Sequence, residues 1–476
     1  MWGKEITRDM RILAIIFVIS LIITIATVGC SFGADNEMLS SEYAEQIVNP
    51  DRSLFYGETI RIAVQYPFFI QPFVFRYMEA NPGVRIEVIR HATGEFEPDA
   101  DWDQVRMEVG TQLMAGSAPT LIDFYLADPF DPRQAVFFDD LYKLMDADPD
   151  FNEEDWFMNV FHAFEIDNRL YHFPLNFWHG PVLANRGIEG LSEAMVAYND
   201  GITLSELMQL SSYFTERYPQ YYLEQHFSSR WIMQLMSEQF IDMEVGSVDF
   251  GEEFIDLIIY ADSITCSNIN SVWWTLGGNA VYNSLQDQMM SERYLFHLDT
   301  IFWFWYWLDF YEDIHSFASM TALTNDRGEL LIHSPNNFLL NANATTIEKA
   351  IAWDFLMFIM QPENFSHDSF PPWDLQPPNR SLFNRVIHEN MYHFLNHGDP
   401  IFSWFPGTYY EATEGIITRM TSFFEMPMQV TSAYPRIIDN IIEENMRLFH
   451  EGLLSAEQTA QNLQNQITLV LMEMER

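Results

Sequence analysis

The alternation of strand-like and helix-like segments in the N-terminal third of the chain most constrains its fold. Apolar residues recur at every second position in Thr59–Tyr66 and in Val84–Arg90, which predicts two strands. Between them, Phe68–Ala80 has a helix-like pattern that stops at a strong breaker, NPG. Asp101–Gly116 carries apolar residues at intervals of three and four, which predicts a second helix, and Thr120–Asp128 supplies a third strand. The β-α-β-α-β order indicates an α/β domain with a largely parallel sheet.

A sheet of this kind binds ligands just beyond the carboxyl ends of its strands. Tyr66 and Asp128 stand at two such ends. An aromatic ring can stack on a sugar ring, and a carboxylate beside it can accept hydrogen bonds from sugar hydroxyls. We therefore predict that both residues contact a ligand. The alternatives are that Tyr66 covers the core and that Asp128 begins a turn before Pro129.

The N-terminal segment has the layout of an export signal. Lys4, Arg8 and Arg11 precede an uncharged apolar run at residues 12–28, which is the order found in a signal peptide. A run of this length is at the lower limit for a membrane-spanning helix, so a retained anchor is the alternative. We assign residues 1–29 to the signal peptide.

Cys30 ends the tetrad Thr27-Val28-Gly29-Cys30. The tetrad resembles the lipobox of bacterial lipoproteins, in which a small residue precedes a cysteine that is lipidated and becomes the new N-terminus. Thr27 stands where leucine is usual. The resemblance implies lipidation of Cys30 and anchoring at the extracellular face of the cell membrane, with residues 30–56 as the lipidated cysteine and a flexible tether. The alternative is that Cys30 merely ends an ordinary signal.

The chain is strongly acidic, with 24 basic and 68 acidic residues and a net charge of −44. A field of this sign repels nucleic acid and anionic lipid, so nucleic acid is excluded as a partner. If Cys30 is acylated, Cys266 has no partner, and we expect no disulfide. With 48% hydrophobic residues, the chain is globular and long enough for two or more cores.

Short segments spread over residues 57–390 carry a family resemblance when they are taken in order. They are TIRIAVQYP, EANPGVRIEVI, VGTQLMAGSAPTLIDF, FFDDLYKLMDADPDF, DNRLYHFPLNF, VLANRG, TTIEKAIAWDFLMFIMQPENF and LQPPNRSLF. The ordered set resembles the family 1 extracellular solute-binding proteins, which are ligand-capturing lipoproteins of ABC importers, most often for sugars. The resemblance implies a protein that is not an enzyme, that captures an oligosaccharide or a glycoside, and that delivers it to an importer by hinge closure.

The resemblance also implies a two-lobed, periplasmic-binding-protein-like α/β fold with hinge-crossing segments and a ligand cleft between the lobes. The predicted crossings lie near residues 174–184 and 376–380, where prolines favour extended chain. The implied division is lobe 1 at residues 57–173 and about 321–376, and lobe 2 at about 185–320 and 380–476. Thr345 and Glu348 form a capping box for a helix that includes Trp353.

Further ligand candidates are mostly tryptophans, of which the chain has 13. The candidates are Trp178, Trp231, Trp303 with its neighbour Trp305, Trp373, and more weakly Asp299 and Asn185. Trp178 lies at the first predicted crossing, where a side chain would face the cleft. Trp373 lies in a loop, and loops carry ligand contacts more often than packed helices do. For each tryptophan the alternative is a place in the core.

No motif predicts a catalytic or metal site. The alternating carboxylates of Asp146–Asp155 resemble the start of a calcium loop, but Phe151 replaces the required glycine. We interpret this segment as a turn in which Asn152 or Asp155 caps a helix. Phosphate loops, zinc motifs and nucleophile elbows do not occur in the sequence. We therefore expect neither a metal nor a cofactor.

Two other kinds of function stay open. The acidity of the chain suits a cationic solute, such as a polyamine, as an alternative ligand. A cell-surface glycoside hydrolase or a surface scaffold protein is the alternative of another class, because some pair among 68 acidic residues can always be read as catalytic. In the main hypothesis the chain is a monomer whose partners are a small solute and the permease subunits of an importer.

Overall fold

The computed structural model describes the chain from Ser41 to Met474, with gaps. The described residues are 41–65, 67, 69–90, 102–179, 181–221, 239–243, 245–264, 295–298, 318–364, 376–386, 389, 418, 421–431 and 433–474. Cys30 and the N-terminal apolar run lie outside these ranges. Of the helices that the described residues form, none is long and apolar enough to cross a membrane.

The secondary structure alternates between helices and strands along the described chain. The helices are α1 Ser41–Val48, α2 Gln71–Ala80, α3 Trp102–Met114, α4 Pro132–Ala135, α5 Tyr142–Ala147, α6 Met158–His162, α7 Leu191–Met195, α8 Leu204–Arg217, α9 Glu252–Ile264, α10 Thr346–Met360, α11 Arg436–His450 and α12 Ala456–Met474. The strands are β1 Thr59–Val64, β2 Arg85–Arg90, β3 Leu121–Asp123, β4 Glu165–Ile166, β5 Arg169–Leu170, β6 His172–Pro174, β7 Trp178–His179, β8 Pro181–Asn185, β9 Ile202–Thr203, β10 Ile241–Asp242, β11 Ser247–Val248, β12 Phe296–Leu298, β13 Ala318–Thr324, β14 Leu330–His333, β15 Asn337–Leu340 and β16 Met428–Val430.

The first sheet contains the predicted β-α-β-α-β unit. Strand β1 pairs in parallel with β2 and with β3, and α2 and α3 connect these strands, so this part of the fold prediction is confirmed. Strand β15 runs antiparallel to β3 and β6 and completes the order β2-β1-β3-β15-β6. The third strand ends earlier than predicted. The Asp123 side chain accepts the N–H of Tyr125 (3.0 Å) and turns the chain into a 3-10 helix at Phe124–Leu126.

Two local predictions on this side of the molecule are confirmed. Helix α10 begins with the capping box, in which Thr345 Oγ1 accepts the N–H of Glu348 (3.2 Å) and the Glu348 carboxylate accepts the N–H of Thr345 (2.8 Å). The acidic segment before α6 is a turn, and the Asn152 side chain caps the short 3-10 helix Glu153–Asp155. Each pattern is satisfied by residues within three positions of one another, so tertiary structure does not have to supply a partner.

The second half of the predicted flexible tether is folded. Residues 41–48 form α1, which packs on α5 and α10. Ala44 and Ile47 share one face of α1 and are fully buried in the cluster that includes the first sheet. Their burial removes apolar surface from water and holds the helix on the domain. The prediction of a tether that reaches residue 56 is therefore wrong, because the folded domain begins at Ser41 at the latest.

The second sheet is built around β8 and β13, which pair antiparallel from Ala318 opposite Asn185 to Ala322 opposite Pro181. Its order is β12-β8-β13-β14-β16, with β7 joined to β14 and β9 to β13. The sequence-based division places the chain from about residue 321 in lobe 1. The structure instead keeps β13 and β14 in the second sheet, because the ladder with β8 continues through residue 321. The chain returns to the first sheet at residues 334–336.

Helices α8, α9, α11 and α12 cover the second sheet. Leu207, Phe254, Ile442 and Leu463, one from each helix, lie in the same buried cluster as Val182 of β8. Burial of each such side chain contributes about 2 kcal/mol. We call the first sheet with the elements packed on it the first lobe, and the second sheet with these helices the second lobe. The remaining residue boundaries of the lobes stay a prediction.

Candidate ligand-binding cleft

Segments of extended chain run between the two lobes and lie side by side. Within the described residues, the chain passes from one sheet to the other at 175–177 and at 334–336. The N–H of Leu175 donates to the carbonyl of Asn336 (2.8 Å). A third segment joins them, since the N–H of Phe177 donates to the carbonyl of Gln376 (3.0 Å). We call residues 175–177, 334–337 and 376 the crossing strip.

The crossing strip is polar and buried. Asn176 and Asn337 are fully buried and Ser334 is 2% exposed. Ser334 donates its hydroxyl to the carbonyl of Asn176, and the Asn337 amide donates to the carbonyl of Ser334 (3.1 Å). Gln376 Oε1 is buried without a hydrogen-bond donor among the described residues. Buried amides of this kind specify one local geometry, because another arrangement would leave polar groups unpaired.

Trp178 follows the crossing strip directly and lies in β7. Its indole is half-buried and stacks on the imidazole of His333, with the ring centroids 5.2 Å apart and the planes 23° from parallel. The two residues are register partners in β7 and β14. The structure therefore places Trp178 where the lobes join, with one ring face against His333. Its contact with a ligand stays a prediction.

The wall around Trp178 is aromatic and uncharged at neutral pH. Burial lowers the pKa of both His179 and His333 to about 4. His179 packs edge-on against Phe423 and Phe424, with ring centroids 5.8 and 5.5 Å away. Both imidazoles are therefore neutral at pH 7, and this wall can pack against the apolar face of a ligand.

Asp123 ties together the carboxyl ends of β1 and β3. Its Oδ2 accepts the N–H of Gln65 (3.1 Å), and its Oδ1 accepts the N–H of Tyr125 (3.0 Å). Burial raises the pKa of Asp123 to about 6, against the opposite effect of these two hydrogen bonds. Tyr66 follows Gln65 in the chain but lies outside the described residues. Its contact with a ligand stays a prediction.

Asp128 lies beyond the end of β3 and reaches the second lobe. Its Oδ1 accepts the N–H of Phe130 (3.2 Å), which is the turn considered as the alternative role of this residue. Its Oδ2 accepts the N–H of Arg436, the first residue of α11 (2.7 Å). Burial raises the pKa of the Asp128 carboxyl, and the hydrogen bond from Arg436 opposes that shift. Asp128 therefore shapes a local turn and also connects the two lobes.

Arg436 is a candidate that sequence reasoning missed. Its guanidinium donates to the carbonyls of Phe124 and Tyr125, at 3.0 Å each, and lies 5.9 Å from the centroid of the Phe124 ring. Burial lowers the pKa of this guanidinium, which still carries its charge at neutral pH. The only signal in the sequence is an arginine after Pro435, at the start of an amphipathic pattern in a region without a recognised motif.

A cavity of about 800 Å³ opens beside this contact. Helix α3 and residues 126–137 line it from the first lobe, and the start of α11 lines it from the second. Its charged lining residues are Asp103, Asp128, Asp131, Arg106, Arg133 and Arg436. These charges balance, whereas the whole chain has a net charge of −44. The volume is that of a small-molecule site.

The other predicted ligand contacts are mostly outside the described residues. Those outside are Trp231, Asp299, Trp303, Trp305 and Trp373, and their roles stay predictions. Asn185 is buried, and its side-chain carbonyl accepts the N–H of Gly187 (2.8 Å), which holds the turn after β8. The structure thus describes Asp128 and Trp178 at two separate places between the lobes, one beside the cavity and one at the crossing strip.

Several solved structures are similar to this chain. The sugar-binding protein MalE from Xanthomonas citri has a TM-score of 0.56 and 13% identity, covering 88% of this chain and 98% of its own. The chain shares the fold of these binding proteins. An extracellular solute-binding protein family 1 from Alicyclobacillus acidocaldarius has a TM-score of 0.51 at 13% identity, covering 87% and 99%. A periplasmic oligogalacturonide binding protein from Yersinia enterocolitica has a TM-score of 0.51 at 13% identity, covering 88% and 100%.

The predicted two-lobed α/β fold, with a cleft between the lobes, is confirmed by these comparisons. No protein-family model matches the sequence, and no curated protein matches it either. In this fold the crossing strip connects the two lobes, and the cavity of about 800 Å³ lies between them.

Proposed function

We propose that this protein is an extracellular, lipid-anchored substrate-binding protein that captures a carbohydrate and delivers it to an ABC importer. The observation that carries the proposal is the two-lobed fold, which is shared over 88% of the chain with a sugar-binding protein and with an oligogalacturonide binding protein. The proposed solute is an oligosaccharide or a glycoside. The proposed partners are the permease subunits of the importer, and the protein itself is a monomer that makes and breaks no covalent bond.

The proposed mechanism is closure of the lobes about the crossing strip. A solute that contacts both lobes stabilises the closed form more than the open form, so binding shifts the population toward the form that the permease recognises. The buried amides of the strip support this mechanism because they keep the connecting segments in one arrangement while the lobes rotate. Trp178, at the edge of the strip, and the cavity beside Asp128 are the surfaces we assign to the solute.

A neutral sugar fits these surfaces better than a cation does. Trp178 and the neutral His333 form an aromatic wall that suits the apolar face of a sugar ring. The carboxylates that line the cavity are matched by Arg106, Arg133 and Arg436. The acidity of the chain is therefore not concentrated at the described cleft, and this favours a carbohydrate over a polyamine.

The anchoring part of the proposal depends on Cys30. Because α1 begins at Ser41, a lipid on Cys30 would hold the folded domain within roughly 35 Å of the membrane surface. Replacement of Cys30 with Ala is expected to move the protein from the membrane fraction to the medium, or to leave an uncut precursor. Lipid labelling that persists in the Cys30→Ala variant would remove the anchor from the proposal.

The function is tested by ligand screening with residues 31–476. Thermal shifts are measured against a panel of mono- and oligosaccharides, polyamines and amino acids. A ligand at 100 times its dissociation constant adds about 2.7 kcal/mol to the free energy of unfolding, which raises the melting temperature measurably. We expect a selective saccharide to shift the transition and to compact the protein in small-angle scattering.

Other outcomes of the screen would change the proposal in defined ways. A polyamine response would retain the binding function and replace the solute. Release of reducing sugar from a glycan polymer would replace the binding protein with a hydrolase. Silence across the panel, or an unchanged radius at saturating saccharide, would contradict capture by lobe closure.

A further inference from the structure

The start of α11 lacks a cap from its own sequence. Pro435 precedes the helix, and its ring carries no hydrogen-bonding group that could accept the first N–H groups. The carboxylate of Asp128 accepts the N–H of Arg436 instead, at 2.7 Å. A carboxylate at a helix N-terminus is favoured both by this hydrogen bond and by the helix dipole. The cap of a second-lobe helix is thus supplied by the first lobe.

The side chain of Arg436 adds two further hydrogen bonds in the same direction, from the second lobe to the first. Its guanidinium donates to the carbonyls of Phe124 and Tyr125, at 3.0 Å each, and packs beside the Phe124 ring. These carbonyls are held in place, because Asp123 caps the 3-10 helix to which they belong and joins β1 to β3. The described donors of this contact therefore lie on the second lobe, and the acceptors lie on a rigid part of the first.

We propose that Asp128 and Arg436 form an interlobe latch that holds the ligand-free protein partly closed and thereby raises its affinity for the solute. The affinity part rests on the proposed function, whereas the closure part does not. Rotation about the crossing strip would separate these partners, since they belong to different lobes and lie outside the strip. The hydrogen bonds within the strip join segments that stay together. The latch is therefore a contact that opening must break.

The latch also gives two half-buried ionisable groups, Asp128 and Arg436, a partner outside their own secondary structure. The charge of each favours the charged form of the other, so removal of one leaves the other without that compensation. Hydrogen bonds with one ionised partner are stronger than those between neutral groups. Loss of the Asp128 carboxylate or of the Arg436 guanidinium therefore removes a large share of the stabilisation that the latch provides. When the lobes open, both groups regain water, which limits the cost of opening and keeps the latch reversible.

The test compares ligand-free proteins by small-angle scattering. Arg436→Gln removes the charge and the fork that reaches the two carbonyls, and Asp128→Asn removes the carboxylate. Arg447→Gln is the matched control, because Arg447 lies on the same helix and pairs with Glu444 of that helix and with Glu451, which follows its last residue. We expect both latch variants to have a larger ligand-free radius than the wild type, with near-UV circular dichroism unchanged, and the control to match the wild type.

With saturating saccharide, the latch variants should compact to the wild-type radius and bind about tenfold more weakly. A ligand-free radius equal to that of the wild type would overturn the latch. A larger radius with loss of the near-UV signal would also overturn it, since Arg436 would then hold the fold rather than the lobe angle. If no saccharide binds at all, the ligand-free radii still decide the latch, so its failure is distinguishable from failure of the proposed function.

Discussion

Two of the contacts between the lobes have opposite chemistry. At the crossing strip the groups are neutral, and Asn176, Ser334 and Asn337 hydrogen-bond within continuous or adjacent segments. At the latch the groups are charged, and Asp128 and Arg436 are separated by 308 positions in the chain. Neutral buried amides have no favourable alternative when they lose a partner, whereas charged groups near a cavity can be rehydrated. The difference indicates that the strip maintains the fold and that the latch regulates its opening.

A buried histidine lies beside each of these two contacts, and its effect can be tested by measuring stability as a function of pH. His172 lies near Phe124 and Phe130 on the latch side, with ring centroids 5.7 and 5.3 Å away. His179 lies beside the strip. Burial lowers the pKa of His172 to about 3, with a smaller contribution from the charge of Arg436, and it lowers the pKa of His179 to about 4.

The largest expected effect is therefore a loss of stability on acidification. Between pH 6.5 and 4 the unfolded chain binds a proton at each of these histidines and the folded chain does not, so the free energy of unfolding falls by about 1.4 kcal/mol per pH unit for each. His172→Phe, whose new ring suits the aromatic surroundings, should remove one such contribution from the slope. The measurement is urea unfolding from pH 7.5 to 4.5.

The buried carboxyl of Asp123 changes the stability with pH in the opposite direction, and it serves as the internal control. Its pKa is raised to about 6, so the folded chain keeps a proton that the unfolded chain loses, and this contribution to stability is lost as pH rises from 4 to 6. His172→Phe leaves that contribution unchanged. A pH slope in His172→Phe as steep as that of the wild type would show that His172 is charged in the folded protein, and the comparison of the two sites would fail.

A somewhat smaller effect is expected when the crossing strip is mutated. Asn337→Leu keeps the branched side-chain skeleton but leaves the carbonyl and hydroxyl of Ser334 without this partner in a buried site, which should cost about 2 kcal/mol of unfolding free energy. Asn440→Leu, on the exposed side of α11, is the control and should change stability by less than about 0.5 kcal/mol. Equal unfolding curves for the two variants would mean that the amides of the strip do not specify the fold.

Local patterns predicted the parts of this molecule whose partners are close in sequence. The β1-α2-β2-α3-β3 unit follows from apolar periodicity, and the capping box of α10 follows from Thr345 and Glu348. In both cases the residues that decide the structure are near one another, so the sequence contains the whole signal. The crossing near Trp178 is instead implied by the family resemblance, and the prolines beside it suit extended chain.

The parts that sequence reasoning missed depend on distant partners. Arg436 meets the carbonyls of Phe124 and Tyr125 only after both lobes have formed, so nothing in the C-terminal segment distinguishes it from other helix-starting arginines. Helix α1 appears as a polar tether until its Ala44 and Ile47 are seen buried beside α10. The sequence-based boundary at about residue 321 divides strand β13 between the lobes, because the pairing of this strand with β8 is not encoded in its own pattern.

The smallest expected effect distinguishes a ligand contact by Trp178, beside the crossing strip, from the role of the latch. If the indole of Trp178 stacks on the solute, Trp178→Ala should weaken binding by about 1 kcal/mol or more, while Trp178→Phe keeps most of the affinity because it keeps a ring. The measurement is calorimetric titration with the saccharide found by thermal screening. Unlike Arg436→Gln, Trp178→Ala should leave the ligand-free radius unchanged, since Trp178 pairs with His333 of the same sheet. Unchanged affinity in Trp178→Ala would mean that the indole has only a structural role beside the strip. An enlarged ligand-free radius would mean that the strip region, and not only the latch, controls the angle between the lobes.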